Sequence, residues 1–127
     1  MAIWKRQQQP ADPKAQSQVE ALLTKAVAID PKCSDAYLQL GILYFSQHQP
    51  EKAIGFYTKA IQSNPQLGEA HYRLGVAYDR IGSPEKAAKE FKLHDEIEKR
   101  QAAAVEEQRR EVKQFLVVLE GQPGKQQ

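Results

Sequence analysis

The sequence predicts an all-α fold, a solenoid of antiparallel helix pairs continued by a long C-terminal helix, and three observations carry that prediction. First, shifting the chain by 34 residues aligns Ser34–Leu67 with Gly68–Gln101 without a gap. Ala36, Leu40, Gly41, Tyr44, Pro50, Glu51, Lys52 and Ala53 fall on Ala70, Leu74, Gly75, Tyr78, Pro84, Glu85, Lys86 and Ala87. The same shift in the other direction lays Thr24-Lys25-Ala26-Val27 and Asp30-Pro31 on Thr58-Lys59-Ala60-Ile61 and Asn64-Pro65, so two full copies follow one half copy. Second, apolar residues recur at helical spacing, and no strand-like alternation occurs. Third, Pro, Gly and Asn punctuate each copy at the same places. A helix pair this short cannot bury its apolar face alone, so the copies must stack.

The elements follow in order. Residues 1–12 form an N-terminal segment in which Pro10, with Pro13 just beyond, interrupts any first helix; Ile3-Trp4 reads as the remnant of that helix and Arg6 to Asp12 as a loop. Residues 13–33 are the half copy, a second helix near 14–29 carrying Leu23 and Ala26, with Val19 where the later copies have Ala53 and Ala87. Residues 34–67 are the first full copy. Its first helix, near 35–47, has Ser34 as N-cap, with Tyr37, Leu40, Gly41 and Tyr44 at i, i+3, i+4 and i+7. His48-Gln49 and Pro50 break the chain, since Pro is tolerated at a first helical position. The second helix, near 50–63, carries Ala53, Ile54, Tyr57, Ala60 and Ile61, and Asn64-Pro65 ends it. Residues 68–101 repeat the plan with a helix near 69–81, Gly82 suited to a left-handed turn, Ser83 as N-cap, and a helix from Pro84 onward. In this copy His94 replaces the alanine and Lys99 replaces the closing proline, so the helix is expected to run through residues 102–127 until Gly121 and Pro123 stop it. From Pro84 to Glu120 that is 37 residues, a length of about 55 Å.

Small and large residues alternate for a packing reason. Gly41, Ala53, Gly75 and Ala87 let paired helices approach closely, while Leu40, Tyr44, Tyr57, Leu74, Tyr78 and Phe91 fill the space beside them. Each large side chain contributes roughly 1.5–3 kcal/mol when buried.

With these residues in place the sequence resembles the tetratricopeptide repeat family. The pattern W-x2-L-G-x2-Y, A-x3-F, P is met by Tyr37, Leu40, Gly41, Tyr44, Ala53, Tyr57 and Pro65, and again by His71, Leu74, Gly75, Tyr78, Ala87 and Phe91. The resemblance covers about Pro13 to Asp95 and implies right-handed stacking and a noncatalytic protein-interaction role. In that family the first helices line a groove that receives a peptide or protein partner. The matching positions here are Asp35, Leu38, Ile42, Phe45 and Ser46, then Glu69, Tyr72, Arg73, Val76, Asp79 and Arg80. Members that grip a C-terminal carboxylate use Lys, Asn and Arg; only Arg73 fits that set, since Leu38, Ile42 and Glu69 stand where Lys or Asn is expected. The resemblance therefore implies a groove of Leu38, Ile42, Phe45, Tyr72 and Val76 for an amphipathic helix or apolar peptide, with Arg73 and Arg80 orienting an acidic group. The alternative is that the chain's own termini or a missing repeat cover these residues.

Composition narrows the function classes. The chain has 127 residues, 41% apolar and 27% charged, with a net charge of +2. The longest apolar run, Phe115–Leu119, is five residues, against roughly twenty for a membrane span. Basic residues are interspersed with acidic ones, giving no footprint for nucleic acid. The lone Cys33 permits no internal disulfide, and the start of the chain has no signal-peptide pattern, so a cytoplasmic location is the default expectation. His48, His71 and His94 lack metal-ligand spacing and read as one surface and two packing histidines. No catalytic constellation, metal site or cofactor motif emerges.

The long helix has two characters. Glu96 to Arg110 is dense in charge, with Glu96–Arg100 and Glu106–Arg110 at i, i+4 spacing. Val112, Phe115, Leu116 and Leu119 then form an apolar stripe that something must cover. The stripe begins eighteen residues beyond His94, about 27 Å along a straight helix. It is either a cap reached through a bend near Gln101 or a docking face. A self-assembling protein, a homo-oligomer in which this tip enters a neighbour's groove, is therefore the second expectation.

Overall fold

Five helices form in the computed structural model, which describes residues 13–121. They are α1 (Pro13–Ile29), α2 (Ser34–Ser46), α3 (Pro50–Ser63), α4 (Gly68–Arg80) and α5 (Pro84–Glu120). The expected Ile3-Trp4 remnant lies outside the described residues. Each helix packs on the next in chain order, and α2 also touches α4. The result is an all-α solenoid of helix pairs.

Boundaries agree with the sequence reading to within one residue, but Ser34 is not the cap. Cys33 holds that position, because its carbonyl already accepts the Tyr37 N–H at 3.3 Å. Ser83 does stand at the N-cap of α5, although its hydroxyl makes no capping bond. Both pair-closing turns use the same device. Gln49 N–H donates to the Tyr44 carbonyl at 3.0 Å and Ser83 N–H to the Tyr78 carbonyl at 2.8 Å, the long-range bond of a Schellman closure, which requires a left-handed residue just before. Gly82 supplies it with φ 84° and His48 with φ 63°. For a residue with a Cβ that conformation costs about 1–2 kcal/mol.

The core runs along the seam between paired helices. Leu40 and Tyr57 are fully buried, and Ala53, Ala60, Ala70, Ala77 and Ala87 give the backbones room to close. Gly41 lies against the Tyr57 ring and Gly75 against the Phe91 ring; a Cβ on Gly75 would sit 2.6 Å from Phe91 Cε1. Leu38 belongs to this core, at 3% exposure, and is not an open groove position as the sequence reading expected. Its counterpart one repeat later, Tyr72, is 48% exposed. The difference follows from neighbours: α4 lies beside α2, whereas no further first helix lies beside α4 among the described residues.

The last helix runs unbroken for 37 residues, so no break near Gln101 turns its tip back onto the repeats. It is anchored through Ala87 and Ile97, with Arg100 and Gln101 tied to Gln66 at 3.1 and 3.2 Å. Every residue from Gln101 to Gly121 is exposed. The charged middle pairs differently from expectation, through Arg109–Glu106 at 3.1 Å and Arg110–Glu107 at 2.9 Å. Both are i, i+3 pairs, and Arg100 bonds Gln66 instead of Glu96.

Two glycine substitutions should move stability in opposite directions. Gly55→Ala, on an exposed helix position with nothing within 4 Å of the new Cβ, should stabilise by about 0.5–1 kcal/mol. Gly75→Ala should destabilise by about 1–3 kcal/mol, because the Phe91 ring must give way. Thermal unfolding followed by circular dichroism reads both signs.

Candidate protein-interaction surfaces

Alternate faces of α2 and α4 carry the expected partner-binding residues. Tyr37, Leu40, Gly41 and Tyr44 turn toward paired helices, which leaves Ile42 and Phe45 half-buried on another side of α2. On α4 the positions one repeat later are Val76, half-buried, and Asp79, exposed. The two helices meet here, since the Arg80 guanidinium lies 4.9 Å from the Phe45 ring centroid. Tyr72 leans on Phe91 at 5.6 Å and on His94 at 5.4 Å between centroids, so its exposed ring is held from behind. Arg73 donates through Nε to Glu69 at 2.9 Å and is already neutralised. Arg80, by contrast, forms no ion pair of its own among the described residues. The structure thus brings Phe45 and Arg80 together, sets Tyr72 against α5 and Arg73 against Glu69, leaves Ile42 and Val76 half-buried, and buries Leu38.

Two phenols mark how this surface is braced from within. Tyr57 is raised above the ordinary phenol pKa, first by burial, with the Arg73 charge and hydrogen bond opposing it. Tyr44 is raised first by donating its hydroxyl hydrogen bond to the Glu20 carboxylate, and further by burial. That bond ties α1 to α2. The buried His71 lies 2.8 Å from Glu90 Oε1 and 3.1 Å from the Pro65 carbonyl, linking α4 to α5 and to the preceding turn. His48 is exposed on its turn and His94 packs under Tyr72. Among the described residues no three His, Cys, Asp or Glu side chains gather where they could share a metal ion.

Among the described residues nothing covers the C-terminal stripe or the opposite end of the solenoid. Val112, Phe115, Leu116 and Leu119 all project from α5 into solvent. At the other end α1 has no buried residue, and a cleft of about 230 Å³ separates it from α2, lined by Val19, Ile42 and Leu43 among others. Sequence reasoning missed this cleft. It also missed a second one of about 320 Å³ between α2 and α3, where Lys52 lies 5.4 Å from the Tyr44 ring and Lys59 lies 5.7 Å from the Phe56 ring. The only signal for either was the 34-residue register, read as a list of which positions lose a neighbour. Among the described residues no helix is long and apolar enough to cross a membrane.

Comparisons with known proteins agree with this architecture. Family models described as tetratricopeptide repeat match residues 34–67 and 68–101, together more than half of the chain. No curated protein matches the chain in sequence. Among solved structures, a crystal structure of MamA is similar with a TM-score of 0.68 and 32% identity, over 70% of this chain and 52% of that one. A second MamA crystal structure has a TM-score of 0.63 and 33% identity over 69% of this chain and 48% of that one. The MamA RS-1 ArsTM double mutant has a TM-score of 0.64 and 31% identity over 69% and 49%. The chain therefore spans about half the length of these structures.

The raised phenols give a pH dependence of defined sign. Both ionise later in the folded chain than in the unfolded one, so the unfolded state releases these protons first. Their contribution is fully present below the unfolded value of about 10 and is lost as pH rises through the folded values. The unfolding temperature of wild type should fall more steeply above about pH 10 than that of a Tyr44→Phe, Tyr57→Phe double variant. Equal slopes would remove these phenols from the account.

Proposed function

The chain belongs to the tetratricopeptide repeat family, and from that premise we propose that it is a noncatalytic interaction module whose α2–α4 face binds an amphipathic helix or apolar peptide. The family's repeats are protein-interaction units, and that coarse role carries over directly. One observation supports the finer reading: on the same helix α4, Arg80 lies over Phe45 and, about 12 Å away along the axis, the exposed Tyr72 is backed by Phe91 and His94. An exposed aromatic held rigidly and a cation without a carboxylate partner are the composition of an interface anchor. Ile42 and Val76 supply the apolar floor and Glu69 balances Arg73, so the acidic group of a partner is directed to Arg80.

A second reading is self-assembly, in which the C-terminal tip docks on a neighbouring copy. It is favoured by the complete exposure of residues 101–121 although they carry the Val112, Phe115, Leu116 and Leu119 stripe.

The first reading is tested with designed helical peptides that present Leu at i, i+3, i+4 and i+7 with either Glu or Lys on the flanks. Fluorescence anisotropy should show the Glu-flanked peptide binding more tightly. Tyr72→Ala should weaken it by about 2 kcal/mol, roughly thirtyfold in Kd, with helicity unchanged. Equal binding of both peptides, or indifference to Tyr72→Ala, removes this face as the site.

A further inference from the structure

The open edge of α1 is complementary to the far end of α5. Val19, Leu22, Leu23 and Ala26 occupy on α1 the repeat positions that Ala53, Phe56, Tyr57 and Ala60 occupy on α3. On α3 these positions are covered by α2: Ala53, Tyr57 and Ala60 are at most 1% exposed, and Phe56 stacks on Tyr44 at 5.3 Å. On α1 no helix takes that place among the described residues, and Val19 is 45% and Leu22 68% exposed. The cleft between α1 and α2, floored by Val19, Ile42 and Leu43, lies alongside. What is open is thus a seat for one helix lying antiparallel to α1, as α2 lies antiparallel to α3.

We infer that this seat receives the α5 tip of a second copy of the chain. The inference rests on the self-assembly reading above and names its docking site. The tip carries its apolar residues at 112, 115, 116 and 119, and α1 carries its own at 19, 22, 23 and 26, the same spacing. Laid antiparallel, Leu119 meets Val19, Leu116 meets Leu22, Phe115 meets Leu23 and Val112 meets Ala26. The same register brings Arg109, which pairs with Glu106 on its own helix, level with Ile29 and Asp30 at the carbonyl end of α1, and sets Lys113 level with Lys25. The apolar pattern, not charge, fixes the alignment.

The tip cannot fill its own chain's seat. The helix α5 is continuous from Pro84 to Glu120, and Val112 lies fifteen residues past the last buried residue, Ile97, about 22 Å along the axis. The seat lies at the other end of the stack, beyond α4, α3 and α2. Tip and seat are different surfaces, so the contact is heterologous and each copy offers one of each.

The test uses the full chain in sedimentation velocity over a concentration series, with Leu22→Glu, Phe115→Glu and their equimolar mixture. Both positions are exposed, and circular dichroism checks that both variants keep wild-type helicity; Leu22→Lys and Leu116→Lys serve as a second pair if either does not. Wild type should gain mass with concentration, and each variant alone should need about tenfold higher concentration to do so. The mixture should form a two-chain species and nothing larger, because one intact seat meets one intact tip. If Leu22→Glu assembles like wild type while Phe115→Glu does not, or the mixture stays monomeric, the seat is wrong and the tip meets another surface, such as a second α5. If wild type is monomeric throughout, as it would be were residues preceding Pro13 to cover the seat in the same chain, the self-assembly reading fails with it.

Discussion

The contact on which the rest depends is that between a helix backbone and an aromatic ring, Gly41 against Tyr57 and Gly75 against Phe91. Each ring lies where a Cβ would stand, so the paired helices lie closer than two ordinary side chains would permit. Alanines on the facing helices extend the close approach along the seam. Because the same contact recurs at a 34-residue interval, successive pairs present the same outer edge to the next pair. Close packing of this kind is specific in shape, and a single added methylene is felt throughout it.

A stack built this way has two ends, and the ends differ from its middle for a physical reason. Each helix depends on its neighbours in chain order, so the first and last elements keep faces that internal repeats have covered. At one end this leaves α1 without a buried residue. At the other, Tyr72 stays half-exposed where Leu38 is buried, and α5 outruns the repeats by some twenty exposed residues, 101–121. The helix persists there with every residue exposed because residues 101–120 contain no Gly or Pro, and it carries an Ala102-Ala103-Ala104 run and paired charges at i, i+3. Its apolar tip adds only i, i+4 pairs such as Phe115–Leu119 to that local stability. The tip's chemistry is that of a surface awaiting a cover.

Most of the fold was legible in the sequence because the repeat register, the prolines and the small residues each have a local cause. The unbroken course of α5 could be read from the absence of Gly and Pro alone. What was not legible depended on neighbours or on alternatives of equal local merit. Leu38 looks like a groove residue until α4 is placed beside it, and Ser34 looks like a cap until Cys33 is found to start the helix one residue earlier. His48 takes a left-handed turn where the second copy has Gly82, because the backbone bond from Gln49 to Tyr44 demands it. Glu106 had two basic partners within reach, and i, i+3 prevailed over i, i+4. Of the candidate site, residue types and faces could be read, but not that Arg73 is already paired whereas Arg80 lies on Phe45.

The central claim is that the repeats form one packed unit whose uncovered faces are completed by other molecules. Amide hydrogen exchange on the full chain, read segment by segment at low and high protein concentration, tests it most directly. In dilute solution the account predicts strong protection over residues 34–97 and weak protection over 13–29 and 101–120; at high concentration the two weak segments gain protection together. Protection over 101–120 equal to that of the repeats in the dilute chain would contradict it, because it would mean that the C-terminal helix is already covered within one molecule.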